Sequence, residues 1–135
     1  MDVLNFETAQ ALITSLMDRA KGLYQRPICV AVVDATGLLM AFARMDGAPA
    51  RSIAIAQGKA YSAVRMGTST QAFLARLQRE GLQASYFCDP VLTPLPGGTP
   101  LKLGSGAVVG GVGVSGLAVE EDQQLSDALA AEFGK

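Results

Sequence analysis

The apolar positions of this chain fall into blocks with different spacings. Between residues 5 and 24, Ala9, Leu12, Ile13, Leu16, Met17, Ala20 and Leu23 recur every three or four positions. That is one stripe of an amphipathic helix. Asn5 or Thr8 is placed to cap it and Gly22 to end it, and Pro27 closes the connection. "ICVAVVD" (28–34) is β-branched and almost wholly apolar, as in a strand covered on both faces. "DATG" (34–37) is a turn, with an Asp to bond the backbone ahead and a Gly to supply positive φ. "LLMAFAR" (38–44) is the return strand, so the two form a hairpin. Arg51 to Arg65 resumes the helical period, with Ile53, Ala56, Ala60, Ala63 and Val64 on one face. Gly58 in its middle costs about 1 kcal/mol against alanine, and the small residues let this helix lie close to whatever it covers. Ser69 or Thr70 caps a shorter helix carrying Phe73, Leu74 and Leu77.

The pattern then changes. Residues 91–116 read as strands, with turns at Pro96-Gly97-Gly98 and Gly104-Ser105-Gly106. Pro94 and Pro100 cannot donate ladder bonds and belong at strand ends or on an edge. "AVVGGVGV" (107–114) should be central, its glycines marking where another backbone comes close. Residues 118–134 form a last helix, acidic in its first turn as the macrodipole prefers. The predicted order is α-β-β-α-α-β-β-β-α. Hairpin connections dominate, so the sheet should be largely antiparallel with helices on its faces. The expectation is an α/β (α+β) chain forming one domain over 1–135.

Half the residues are apolar and 17% are charged, which supports a packed core and argues against disorder. A net charge of −1 offers no basic footprint for nucleic acid. No apolar run reaches the roughly 18 residues of a membrane span, and "MDVLNFETAQ" has no signal-peptide pattern. The expectation is a cytoplasmic protein with no membrane and no nucleic-acid partner. So few charges also suit a surface partly buried in a homo-oligomer. Cys29 and Cys88 form no cluster, so neither a zinc site nor a disulfide scaffold is expected. The chain has no histidine, which removes the commonest general base, metal ligand and haem ligand together.

Gly111-Val-Gly-Val-Ser-Gly116 satisfies G-x-G-x-x-G. A dinucleotide fold then needs a second parallel strand about 20 residues on, and only one helix follows. The glycines more simply permit tight helix–sheet packing, although the amides of Ser115 and Gly116 could hold an anion. The possible acid–base groups are Asp34, Asp46, Lys59, Tyr61, Glu120, Glu121 and Asp122. Lys59 stands out within an alanine-rich helix. It either snorkels to water or carries a shifted pKa in an apolar cleft. Arg44 and Asp46 most simply form an ion pair bracing their turn, and Glu120 to Asp122 most simply serve the helix start. Met40, Met45 and Met66 read as core or interface filler.

Three quoted stretches carry a resemblance. "VAVVDATGLLMAFARMDGAPARSIAIAQGKAYSA" (30–63), "PGGTPLK" (96–102) and "GGVGVSGLAVEED" (110–122) together resemble the GlcG/HbpS-like haem-binding family, which includes the C-terminal domain of a diol-utilisation cobalamin adenosyltransferase. The resemblance spans nearly the whole chain. It implies a profilin-like domain with a five-stranded antiparallel sheet, assembly into dimers up to octamers, and in some members haem binding. It points to Arg44, Asp46, Gly47, Lys59, Gly97, Gly98, Pro100, Ser115 and Gly116 as pocket residues. Some members ligate haem iron through a first-helix histidine. Here Met17, Tyr24, Cys29, a hydroxyl such as Thr99, or a partner would have to serve. The expected function is an oligomeric pocket for haem, another tetrapyrrole or a small organic acid, with Arg44 and Lys59 beside the glycines at 97–98 as an anion receptor. The alternatives are a cofactor-independent isomerase, hydratase or lyase moving protons through Asp46, Lys59 or Glu121, and a structural partner of another protein.

Overall fold

The computed structural model describes residues 4–134. Helix α1 (Phe6–Arg19) starts at Asn5, whose side chain accepts from the Thr8 amide at 2.9 Å. Gly22 does not end it. The helix runs on through a π-helical turn, Ala20–Tyr24, and stops at Gln25 in the left-handed region. The hairpin follows as β1 (Cys29–Asp34) and β2 (Leu39–Arg44). At its turn Asp34 Oδ1 accepts from the amides of Thr36 and Leu38, and Gly37 takes φ +87°. Helices α2 (Arg51–Met66) and α3 (Thr70–Glu80) come next. Ser69 caps α3 by accepting from the Ala72 amide. Strands β3 (Gly98–Lys102) and β4 (Val108–Ser115) then lead into α4 (Val119–Phe133).

The sheet has four strands in the order β2-β1-β4-β3, every pair antiparallel. The expected fifth strand is not there. Its residues, Val91 to Pro96, run as turn and irregular chain between α3 and β3. Pro94 and Pro96 have no N–H to give a ladder. The Thr93 and Leu95 amides turn instead to the hydroxyls of Ser62 and Thr93. Pro100 is accommodated because β3 is an edge strand.

Helices cover both faces. On one, α1 and α4 bury Leu12, Ile13, Leu16, Leu125, Leu129 and Phe133 against Val30, Val32, Val112 and Val114. On the other, α2 lays Ala56 and Ala60 on Cys29, Ala31 and Val33. Strand β4 meets α2 with glycine at 111 and 113. A Cβ on Gly113 would overlap the Ala56 carbonyl oxygen and lie 2.6 Å from the Ala60 amide nitrogen. The glycine-rich motif therefore serves packing, on a strand antiparallel to both neighbours, where a dinucleotide fold requires parallel ones.

This gives a paired test by chemical denaturation. Gly113→Ala should destabilise the fold by about 3 kcal/mol or more, the upper range of overpacking a tight contact. Gly104→Ala, with open space around it, should stay within about 0.5 kcal/mol of the parent.

Candidate functional site

Lys59 does not snorkel. It projects from α2, is 1% exposed, and ends against α4. Its ammonium donates to Val114 O at 2.8 Å and to Asp122 Oδ2 at 3.0 Å. Asp122 is equally buried, and its Oδ1 accepts from the Leu117 amide at 3.1 Å. Asp122 is thus the partner of Lys59 rather than plain helix-start charge. Burial pushes the Lys59 pKa below the usual lysine range despite the carboxylate beside it. Burial likewise raises that of Asp122, against the pull of Lys59.

Gly97 is where the lysine passes. With φ +135°, its Cβ position lies 2.7 Å from Lys59 Nζ and 2.9 Å from Lys59 Cδ. Any side chain there would displace the ammonium. Beside it, buried Gln123 binds the loop through both ends of its amide. Its Oε1 accepts from the Gly97 amide at 2.6 Å and its Nε2 donates to Gly98 O at 3.1 Å. The Gly98 amide donates to Thr70 Oγ1 at 2.9 Å. The loop amides at 97 and 98 are therefore consumed internally and offer an outside anion nothing.

The expected site residues separate into distinct places. Lys59, Ser115 and Gly116 line a pocket of about 200 Å³ between the first turns of α2 and α4, with Arg51, Ser52 and Asp122. Arg44 and Asp46 line a different hollow of about 330 Å³, with Met17, Lys21 and Met45. An adjoining hollow of about 250 Å³ shares Lys21, Met45 and Asp46 and adds Gln25, Arg26 and Pro27. Gly47 sits at the turn with φ +87°. Pro100 lines a third region, about 500 Å³, with Lys102 and Asp127. The expected receptor of Arg44, Lys59 and the 97–98 loop is therefore corrected. Lys59 does meet the glycines, but its charge goes to Asp122, and Arg44 turns away. Arg44 Nε and Nη2 both donate to Ala48 O, at 3.2 and 3.0 Å. That carbonyl, rather than Asp46, braces the turn.

Nor do the three proposed proton carriers converge. Glu121 accepts from the Ala118 amide at 3.1 Å and lies 3.6 Å from Arg26. Asp46 is exposed beside Lys21, and Lys59 is sealed against Asp122. Among the described residues no group of three or more His, Cys, Asp or Glu could hold a metal ion. Cys29 is buried, which raises its thiol pKa, while Arg44 pulls the other way. No helix of the described residues is long and apolar enough to cross a membrane. Sequence reasoning missed Asp122 as partner and Gln123 as organiser. The signal was present in a helix start whose Asp and Gln lie on its inward face.

The fold belongs to a known group. The family model described as haem degrading protein HbpS-like matches residues 4–131, and the chain belongs to this family. It is 33% identical over 132 residues to the corrinoid adenosyltransferase PduO of Citrobacter freundii, covering 95% of this chain but only 38% of PduO. Among solved structures, HbpS of Streptomyces reticuli, crystallised as a double mutant, is 32% identical with a TM-score of 0.87, over 98% of this chain and 88% of that one. A PduOC:Heme complex is 30% identical with a TM-score of 0.84, over 96% and 94% of the two chains.

The buried pair makes its own prediction. Asp122→Asn or Lys59→Met, each leaving one uncompensated group, should lower unfolding free energy by about 3–5 kcal/mol. The double variant Lys59→Met with Asp122→Leu should recover a large part of that loss, read by urea denaturation of all four proteins.

Proposed function

We propose that this chain is a homo-oligomeric binding protein for haem or a related tetrapyrrole carboxylate, held at the hollow between α1 and the end of β2. The observation that carries this reading is the composition of that hollow. Met17 from α1 and Lys21 from the π-helical turn after it share the hollow with Arg44, Met45 and Asp46, and Arg26 lines the adjoining space. A thioether is an accepted axial ligand of haem iron. Lys21, Arg26 and Arg44 are cations of the kind that hold propionates. These residues fit the group without a histidine. The Met45 sulfur already accepts from the Ile28 amide at 3.3 Å, so Met17 is the residue for the iron. Bound haem would supply redox chemistry, and the chain's part is to fix the macrocycle's edge and its charges. Whole-chain similarity to a haem complex supports the choice of tetrapyrrole over other organic acids.

Self-association is supported by the surface. Leu38, Leu39 and Val91 are at least 49% exposed and border one apolar hollow of about 460 Å³. Strand β2 beside them is a sheet edge.

Hemin titration followed in the Soret region should give a saturable spectrum distinct from that of free hemin. Met17→Leu should change its shape, and Lys21→Glu should weaken binding about tenfold, the scale of one charge-assisted contact. A spectrum identical to free hemin at all ratios would remove the tetrapyrrole, and a 14.0 kDa mass by light scattering would remove the oligomer.

A further inference from the structure

The pocket between α2 and α4 contains two buried donors with unused protons. The Lys59 ammonium has three N–H groups. Val114 O and Asp122 Oδ2 take two, and among the described residues no third acceptor lies within hydrogen-bond distance. The Ser52 hydroxyl accepts from Ser115 Oγ at 3.2 Å, and its own proton likewise has no acceptor there. Lys59 and Ser52 are 1% and 2% exposed, and both line the same pocket of about 200 Å³. Each of these groups already has a partner within the chain, so what they bring to the pocket is spare donor capacity for a guest.

Charge and size narrow what it is. Asp122 neutralises Lys59, and both its oxygens are engaged. Arg51, exposed at the rim, has no ion-pair partner among the described residues, so the local balance is positive. Of the nearby acids, Glu121 is tied to Arg26 and the Ala118 amide, and exposed Glu120 does not line the pocket. The first turns of α2 and α4 add their positive ends. At about 200 Å³ the space is smaller than the α1–β2 hollow and suits a ligand of a few heavy atoms. Behind the donors stands an apolar wall of Ile55, Leu95, Leu117 and Val119, which suits a short carbon chain and not a bare inorganic ion.

We propose that this pocket is a second ligand site, for a short-chain organic carboxylate whose oxygens accept from Lys59, Ser52 and Arg51. It is separate from the α1–β2 hollow and does not depend on haem binding. It can be tested by ligand-observed NMR titration of the haem-free protein with butyrate, acetate and inorganic phosphate at constant ionic strength. Butyrate should bind saturably and more tightly than acetate, and phosphate should not compete. Lys59→Met also breaks a structural ion pair, so the deciding variants are Ser52→Ala and Arg51→Gln. Each should weaken butyrate binding about tenfold or more, the scale of a lost hydrogen bond to a charged group. Arg79→Gln, an exposed cation outside the pocket, should change nothing. No saturable carboxylate binding, affinity undiminished in both variants, or phosphate bound as tightly as butyrate would each overturn the proposal. Hemin titration of the same variants should match the parent, so the two sites fail independently.

Discussion

The buried charge and the loop around it are organised by how closely α2 lies on β4. Glycine at 111 and 113 removes the side chains that would hold the helix off, and Ala56 and Ala60 present the matching small face. Gly58 in the helix carries a propensity cost of about 1 kcal/mol. Its Cβ position lies 3.4–3.6 Å from the Thr93 methyl and the Val91 carbonyl, ordinary contact distance, so the close approach is set by Gly111 and Gly113 rather than by Gly58. With the helix at this depth, Lys59 is almost fully buried. Its stem passes Gly97, and its ammonium reaches a β4 carbonyl and a carboxylate from the opposite layer. One packing distance thus determines where a charge is buried.

The buried pair has a structural result beyond its own energy. Helix α2 covers one face of the sheet and α4 packs on the other, and Lys59–Asp122 joins them around the end of β4. Gln123, the next residue, ties the 97–98 loop to the same helix. Successive side chains at the start of α4 therefore fix α2 and the entry to β3. An anchored lysine beside a glycine loop can be mistaken for a ligand receptor. Here its loop-side neighbours are already paired within the chain, and the open space lies on the side of Ser52 and Ser115.

Much of the architecture was legible because it follows local rules. The Asn5 and Ser69 caps, the Asp34–Gly37 turn, the buried β1 run and the central glycine-bearing β4 are each set by a few adjacent residues. What was not legible is set by contacts between distant segments. Nothing in residues 91–96 announces that Ser62, 31 residues before Thr93, will take the Thr93 amide. The helix-start acids looked alike in sequence, yet Glu120 is exposed, Glu121 faces Arg26, and Asp122 is buried. A one-residue step on a helix turns a side chain by about 100°, and only the docking of α4 decides which of the three points inward. Arg44 misled for a similar reason. Asp46 was near in sequence, but the chain's return at Ala48 offers a carbonyl that takes two of the guanidinium's donors.

An ion pair is not the most stable way to fasten two helices. Replacing a buried pair with well-fitted apolar side chains is often neutral or stabilising, so Met and Leu at 59 and 122 could hold α2 to α4 equally well. They would also leave the pocket wall without the lysine's donor. The lysine provides what they cannot: a fixed N–H beyond the two the protein uses, beside a serine hydroxyl in the same condition and beneath an unpaired arginine. Asp122 matters to this arrangement because it cancels most of the charge. Burial alone lowers the lysine pKa, and the carboxylate beside it opposes that shift. Pairing with Val114 O and Asp122 also fixes where the Lys59 nitrogen sits. A chain without histidine can in this way place a directed nitrogen donor in the wall of a small pocket.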